Sequence, residues 1–248
     1  MNNNRPDLFR NPVVKKSLLI SGLASGLLLT SLAVVAEQAA TPDDAGLAER
    51  LQACAACHGD EGRSQQEDYY PSIAGKPAGY LYRQLLNFRD GRRLHTTMRL
   101  MLAYLSDAYL YDIARYYARQ SPGHHSLPET NLTEAQKALG KQLAQSGDPE
   151  RDLPACTQCH GSRLQGRAPY IPGLTGLPSE YLAAQLGAWQ AGTRQALTPD
   201  CMATIAQRLN GEDILAVSRW IAHQPTAADT PSTKGSYANL PMECGAVQ

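Results

Sequence analysis

The sequence predicts an all-α protein of two tandem domains with about four helices apiece, and three observations predict it. The second half repeats the first at offsets of 101 to 104 residues, the signature of an internal duplication. Apolar residues recur at helical spacing behind recognisable caps, whereas strand-like alternation is scarce. A Cys-x-x-Cys-His run stands near the start of each repeat, from Cys54 to His58 and from Cys156 to His160. At 248 residues the chain has room for two domains of roughly 100 residues each and a leftover segment.

The leftover segment comes first. Arg5, Arg10, Lys15 and Lys16 precede an uncharged stretch from Ser17 to Ala36, the pattern of an export signal. That stretch is also long enough to span a bilayer, so residues 1–36 are either a signal peptide cleaved after Ala36 or an N-terminal membrane anchor over residues 17–36. Both readings put the rest of the chain outside the cytoplasm. Its removal takes away four basic residues and one acidic, Asp7, leaving a formal charge of −3, which does not suit nucleic-acid binding.

The first domain, residues 37–120, opens on Thr41-Pro42-Asp43-Asp44, an N-cap with a proline and acidic residues in the first turn, for a helix running toward Cys54. A helix over Tyr80 to Phe88 ends at Gly91, and a final helix starts at Ser106. The linker, residues 121–131, is rich in turn-formers and carries His124 and His125. The second domain, residues 132–225, starts on a capping box, Thr133 to Gln136, and closes that helix near Gly147. Its next helix, Tyr181 to Trp189, ends at Gly192, and its last begins at Asn210. The tail, residues 226–248, has no periodicity and either wraps the second domain or stays loose. The registers agree throughout: Pro71 to Gly75 matches Pro172 to Gly176, Tyr80-Leu-x-x-Gln84 matches Tyr181-Leu-x-x-Gln185, and Met98 and Met202 each stand eight residues before the last helix's cap.

Six cysteines in an exported chain would suggest three disulfides, but the spacing commits four of them elsewhere. In a Cys-x-x-Cys-His run the two thiols add across the vinyl groups of haem, and the adjacent imidazole takes the iron from one side. Two runs imply two covalently bound haem c groups, on Cys54 and Cys57 and on Cys156 and Cys159, with His58 and His160 as iron ligands. A zinc site would need finger-like ligand spacings, and a thioredoxin-like site a strand before a single Cys-x-x-Cys; neither context is present.

These runs, the Pro-x-Ile/Leu-x-Gly loops, the Tyr-Leu-x-x-Gln-Leu helices and the methionines upstream of the last helices resemble the class I cytochrome c fold in tandem. The likeness is to the two-haem cytochrome c-four group, over about residues 45–120 and 130–224. The resemblance implies two class I cytochrome c domains, each of about four helices around one covalent haem. It implies Met98 and Met202 as second axial ligands, and the carbonyls of Pro71 and Pro172 as acceptors for the imidazole protons of His58 and His160. Met101 and His95 are alternatives to Met98 at the first haem. Cys201, directly before Met202, and Cys244 remain; outside the cytoplasm such a pair forms a disulfide, the alternative being two free thiols. Arg93 and Arg194 either meet haem propionates or face solvent. His124 and His125 read as solvated linker residues, and His223 as a partner of its helix terminus. Tyr80, Phe88, Tyr116, Tyr181, Trp189 and Trp220 read as core and haem packing.

Histidine and methionine together fill both axial positions, which is ligation for electron transfer and leaves no open site for substrate. The expected function is electron transfer between respiratory-chain partners in the periplasm. The donor and acceptor would be redox proteins, such as an oxidase, reductase or dehydrogenase, met through small transient contacts. No side chain is assigned a catalytic role. The alternatives are a haem enzyme, either a two-haem peroxidase or a sulfur-compound dehydrogenase, and a cytochrome subunit of a membrane oxidoreductase.

Overall fold

Residues 42–64, 70–122, 132–225, 232–234 and 236–248 are described by the structure, a computed structural model. The segment 1–36, the Thr41 cap and most of the 121–131 linker, with His124 and His125, lie outside the described residues. The first repeat runs α1 (Pro42–Arg50), α2 (Gln52–His58), α3 (Ala78–Arg89), α4 (Thr96–Leu102) and α5 (Asp107–Arg119). The second runs α6 (Glu134–Gln145), α7 (Cys156–His160), α8 (Ser179–Gln190), α9 (Cys201–Gln207) and α10 (Gly211–Ala222). Two short strands, β1 (Arg167–Ala168) and β2 (Thr233–Lys234), pair in parallel. The expected count of about four helices per repeat becomes five among the described residues, and α4 and α9 are among the helices for which no range was expected from the sequence. At seven residues each, they are too short to declare a 3.6-residue period.

The caps lie where the sequence marks them. Thr133 and Gln136 exchange hydrogen bonds of 3.2 Å as a capping box at the start of α6. Ser106 accepts the Tyr109 N–H at the start of α5. Asn210 and Asp213 close a second box at α10, each bond 2.9 Å. Asp213 is buried and also receives Arg151 Nη1 at 2.7 Å, so its charge is paired where water is excluded.

Each repeat has its own core, built by packing its last helix on its earlier ones. In the first, Leu47, Leu51, Leu81 and Leu102 meet Leu110, Ile113, Ala114 and Tyr117 of α5. In the second, Leu143, Leu164 and Leu182 meet Ile214, Val217, Trp220 and Ile221 of α10. Burying each such leucine or isoleucine contributes about 1.5–3 kcal/mol. Helices α6 and α10 touch at Gly140, where a Cβ would lie 2.4 Å from the Ala216 carbonyl oxygen, so their backbones meet with no side chain between them.

The tail, expected to wrap the second repeat or stay loose, wraps it in its described part and goes further. Its β2 pairs with β1, Cys244 is bonded to Cys201, and its last residues reach Arg83 on α3 of the first repeat.

Candidate functional site

Cys54 and Cys57 lie three residues apart on α2, and Cys156 and Cys159 three apart on α7, so each helix turns both sulfurs toward one face. None of the four is in a disulfide. Burial pushes the Cys54 and Cys159 thiols up and Cys156 to about 11, the reverse of the lowered thiol that a disulfide-exchange Cys-x-x-Cys requires. The imidazoles that follow are oriented alike. His58 Nδ1 lies 3.1 Å from the Pro71 carbonyl oxygen and His160 Nδ1 2.8 Å from that of Pro172, the two acceptors implied by the resemblance. Donation through Nδ1 leaves each Nε2 with a free lone pair, the tautomer a metal-binding histidine needs. Burial also holds both imidazoles below the usual histidine range, hence neutral, against the opposing pull of the proline carbonyls.

The methionines occupy equivalent helices. Met98 is on α4 and packs against the first core, whereas Met101, one turn on, is 46% exposed. His95 caps α4, its Nδ1 accepting the Met98 N–H at 3.3 Å. Met202 is the second residue of α9, whose cap Asp200 accepts the Ala203 N–H at 3.1 Å. His223 takes the helix-end position expected of it, its Nδ1 2.7 Å from the Arg219 carbonyl oxygen.

The two repeats meet along a seam that the sequence does not announce. Arg93 and Arg194 face each other in an antiparallel bridge, flanked by hydrogen bonds from Leu94 N–H to the Thr193 carbonyl (2.8 Å) and from Gln195 N–H to the Arg92 carbonyl (2.7 Å). Arg93 donates to Gln84 Oε1 (2.9 Å), Gln185 Oε1 (2.6 Å) and the Tyr181 hydroxyl (3.1 Å). Arg194 donates to Gln185 Oε1 (2.8 Å) and Gln84 Oε1 (3.2 Å), so each glutamine receives both arginines. Arg194 is only 5% exposed, which excludes the solvent-facing alternative for it. Burial, then the neighbouring Arg93, lowers its affinity for its proton. The equal nine-residue spacing of Gln84 to Arg93 and Gln185 to Arg194 was the signal that could have revealed this network. Lys76 also crosses the seam, its Nζ donating to the Gly173 carbonyl at 2.9 Å.

These residues fit a haem c group in each repeat. Paired cysteines and an oriented, neutral imidazole are present twice. At the seam, two guanidinium groups lie 3.8 and 4.4 Å over the Trp189 and Phe88 rings, with no carboxylate partner among the described residues. A buried cation such as Arg194 is costly without a negative partner, and the buried Trp189 indole N–H has no acceptor among the described residues. An anionic group such as a haem propionate would offset the positive charge there.

No family model matches the chain. The chain is 37% identical over 193 residues to the thiosulfate dehydrogenase electron acceptor of Thiomonas intermedia, covering 78% of this chain and 85% of that one. It is 37% identical over 209 residues to cytochrome c4 of Pseudomonas aeruginosa, covering 82% and 96%. Among solved structures it superimposes on cytochrome c4 of Pseudomonas stutzeri with a TM-score of 0.61 at 30% identity, covering 75% of this chain and all of that one. It also superimposes on thiosulfate dehydrogenase of Marichromatium purpuratum with a TM-score of 0.66 at 33% identity, covering 81% of this chain but spanning only 44% of that longer one. The duplicated helical fold and the matches over nearly the full length of the cytochrome c4 relatives lead to one conclusion: the chain belongs to the cytochrome c4 family of two-haem electron-transfer cytochromes.

Proposed function

We propose that this chain takes electrons from a thiosulfate-oxidising dehydrogenase in the periplasm and passes them to a second redox protein, such as a terminal oxidase or reductase. One haem c would be held by Cys54, Cys57, His58 and Met98, the other by Cys156, Cys159, His160 and Met202. The observation that carries this reading is the doubled arrangement of an imidazole fixed through Nδ1 on a proline carbonyl and a methionine on a short capped helix. Bound haem c would supply a one-electron centre, and the histidine and methionine side chains that would hold its iron would raise its potential. The chain's own residues do the rest. His58 and His160 present Nε2, the two cores exclude water, and Arg93 and Arg194 offer positive charge at the seam.

The donor is assigned from the relatives in Thiomonas intermedia and Stutzerimonas stutzeri named as thiosulfate dehydrogenase electron acceptors. The periplasm is supported by the basic and apolar N-terminal stretch and by the Cys201–Cys244 disulfide. No helix of the described residues is long and apolar enough to cross a membrane. The mass of the exported protein distinguishes a leader cleaved after Ala36 from an anchor retained over residues 17–36.

The test is to mix the oxidised protein with thiosulfate and a purified thiosulfate dehydrogenase and follow the haem spectrum. Both haems should reduce in the complete mixture and neither with thiosulfate alone. A protein that dithionite reduces fully but the dehydrogenase leaves oxidised contradicts this donor.

A further inference from the structure

The two methionine helices are held differently. In the first repeat Met98 follows exposed Thr97, and the outer side of α4 carries exposed Leu100 and Met101. In the second repeat the equivalent of Thr97 is Cys201, bonded to Cys244 with their Cα atoms 5.1 Å apart. Next to that bond, Gly245 N–H donates to the Pro199 carbonyl at 2.9 Å. A Cβ on Gly245 would come 2.4 Å from the Thr198 carbonyl oxygen, so the tail lies directly on the backbone that leads into α9. From within the loop, Asp200 accepts the Ala196 N–H at 2.7 Å as well as capping α9. The segment before Met202 is therefore held both by its own cap and by the tail.

The tail has two further anchors. Upstream, β2 pairs with β1, and the Tyr237 hydroxyl donates to the Arg167 carbonyl and accepts from Tyr170 N–H, both at 3.1 Å. Downstream, Arg83 of α3 donates to the Gly245 carbonyl at 3.0 Å and to that of Gln248, while its guanidinium lies 4.4 Å over the Tyr170 ring. The tail thus joins three places: the loop after the second Cys-x-x-Cys-His run, the start of the Met202 helix, and a helix of the first repeat.

A methionine thioether is a neutral ligand on a side chain with three rotatable bonds, so its placement must come from the backbone that carries it. A cross-link spanning 43 residues removes chain freedom that loop hydrogen bonds alone leave in place. We propose that Cys201, Cys244 and Arg83 are positioning residues for the second haem. The disulfide-anchored tail fixes the start of α9, so that Met202 is presented at one place in both oxidation states, and Arg83 ties that restraint to the first repeat. The proposal rests on Met202 as the second haem's axial ligand.

The experiment uses the exported two-haem protein and compares Met202→Leu, the double variant Cys201→Ser/Cys244→Ser, and Arg83→Gln. It reads the methionine-to-iron band of the oxidised form, carbon monoxide binding to the reduced form, and the two midpoint potentials. Met202→Leu should remove half of the band. The double cysteine variant should weaken that same half, let one reduced haem of the two bind carbon monoxide, and lower one potential while the other stays. Arg83→Gln, which keeps the disulfide, should shift the same haem in the same direction by less. A full band in Met202→Leu overturns the ligand reading and the proposal with it. A halved band in Met202→Leu, beside wild-type band, carbon monoxide response and potentials in both other variants, overturns the positioning role alone. Equal weakening at both haems in the cysteine variant also overturns it, because it marks a general structural role.

Discussion

Lys76 sits where the repeats meet, and burial pushes its ammonium down to about 8 from an ordinary 10.5. Between those two values the unfolded chain holds a proton that the folded chain has released, so the folded state gains stability as pH rises. Relative to Lys76→Met, the wild-type protein should therefore gain stability from about pH 8 to about pH 10, by at most about 1.4 kcal/mol per pH unit. Denaturant midpoints at pH 7.5, 8.5 and 9.5 measure this, and parallel curves for the two proteins would contradict it. At the same scale, the half-exposed Met101 and the core-packed Met98 make opposite predictions. Met98→Leu should remove one of the two methionine-to-iron bands and Met101→Leu neither, as read in the oxidised spectrum. The two Cys-x-x-Cys-His runs stand out in the sequence because the chemistry assigned to them demands contiguous residues. The Cys201–Cys244 pair was legible by subtraction once four cysteines were committed. Lys76 was not, since its partner, the Gly173 carbonyl, belongs to the other repeat.

At the scale of elements, Gly140 shows how contact overrides propensity. Alanine in a helix interior ordinarily stabilises by up to about 1 kcal/mol over glycine. On α6 the added methyl would meet the Ala216 carbonyl oxygen at 2.4 Å and Trp220 Cβ at 2.6 Å, and neither backbone nor Cβ can rotate away. Gly140→Ala should destabilise the protein by about 1–3 kcal/mol instead, and a denaturant midpoint at or above wild type would show that α6 and α10 can separate freely. The long helices were legible because caps and apolar spacing agree, as at Thr133 with Gln136 and at Asn210. Helices α4 and α9 were not, because they are only seven residues long and α4 starts on a side chain read for another role, His95 as a ligand alternative.

In the whole molecule, the duplication that made each half readable concealed how the halves meet. Comparing repeats reveals what they share, whereas the seam depends on which shared faces turn toward one another. Arg93 and Arg194 were visible as equivalents, yet their shared hydrogen bonds to Gln84 and Gln185 of both repeats, and the burial of Arg194, follow only from that docking. The tail was opaque for a related reason: a segment without periodicity gains its structure from partners far along the chain, such as Arg83, 162 residues before Gly245. Under the proposed function, these levels together would keep two haem groups closed to substrate within one unit. The most direct test is the haem content and spectrum of the purified protein, oxidised and reduced, with carbon monoxide added. Two haems per chain, a methionine-to-iron band of two-haem strength and no response to carbon monoxide are the predicted result. A single haem per chain, or one that binds carbon monoxide readily, would contradict the account.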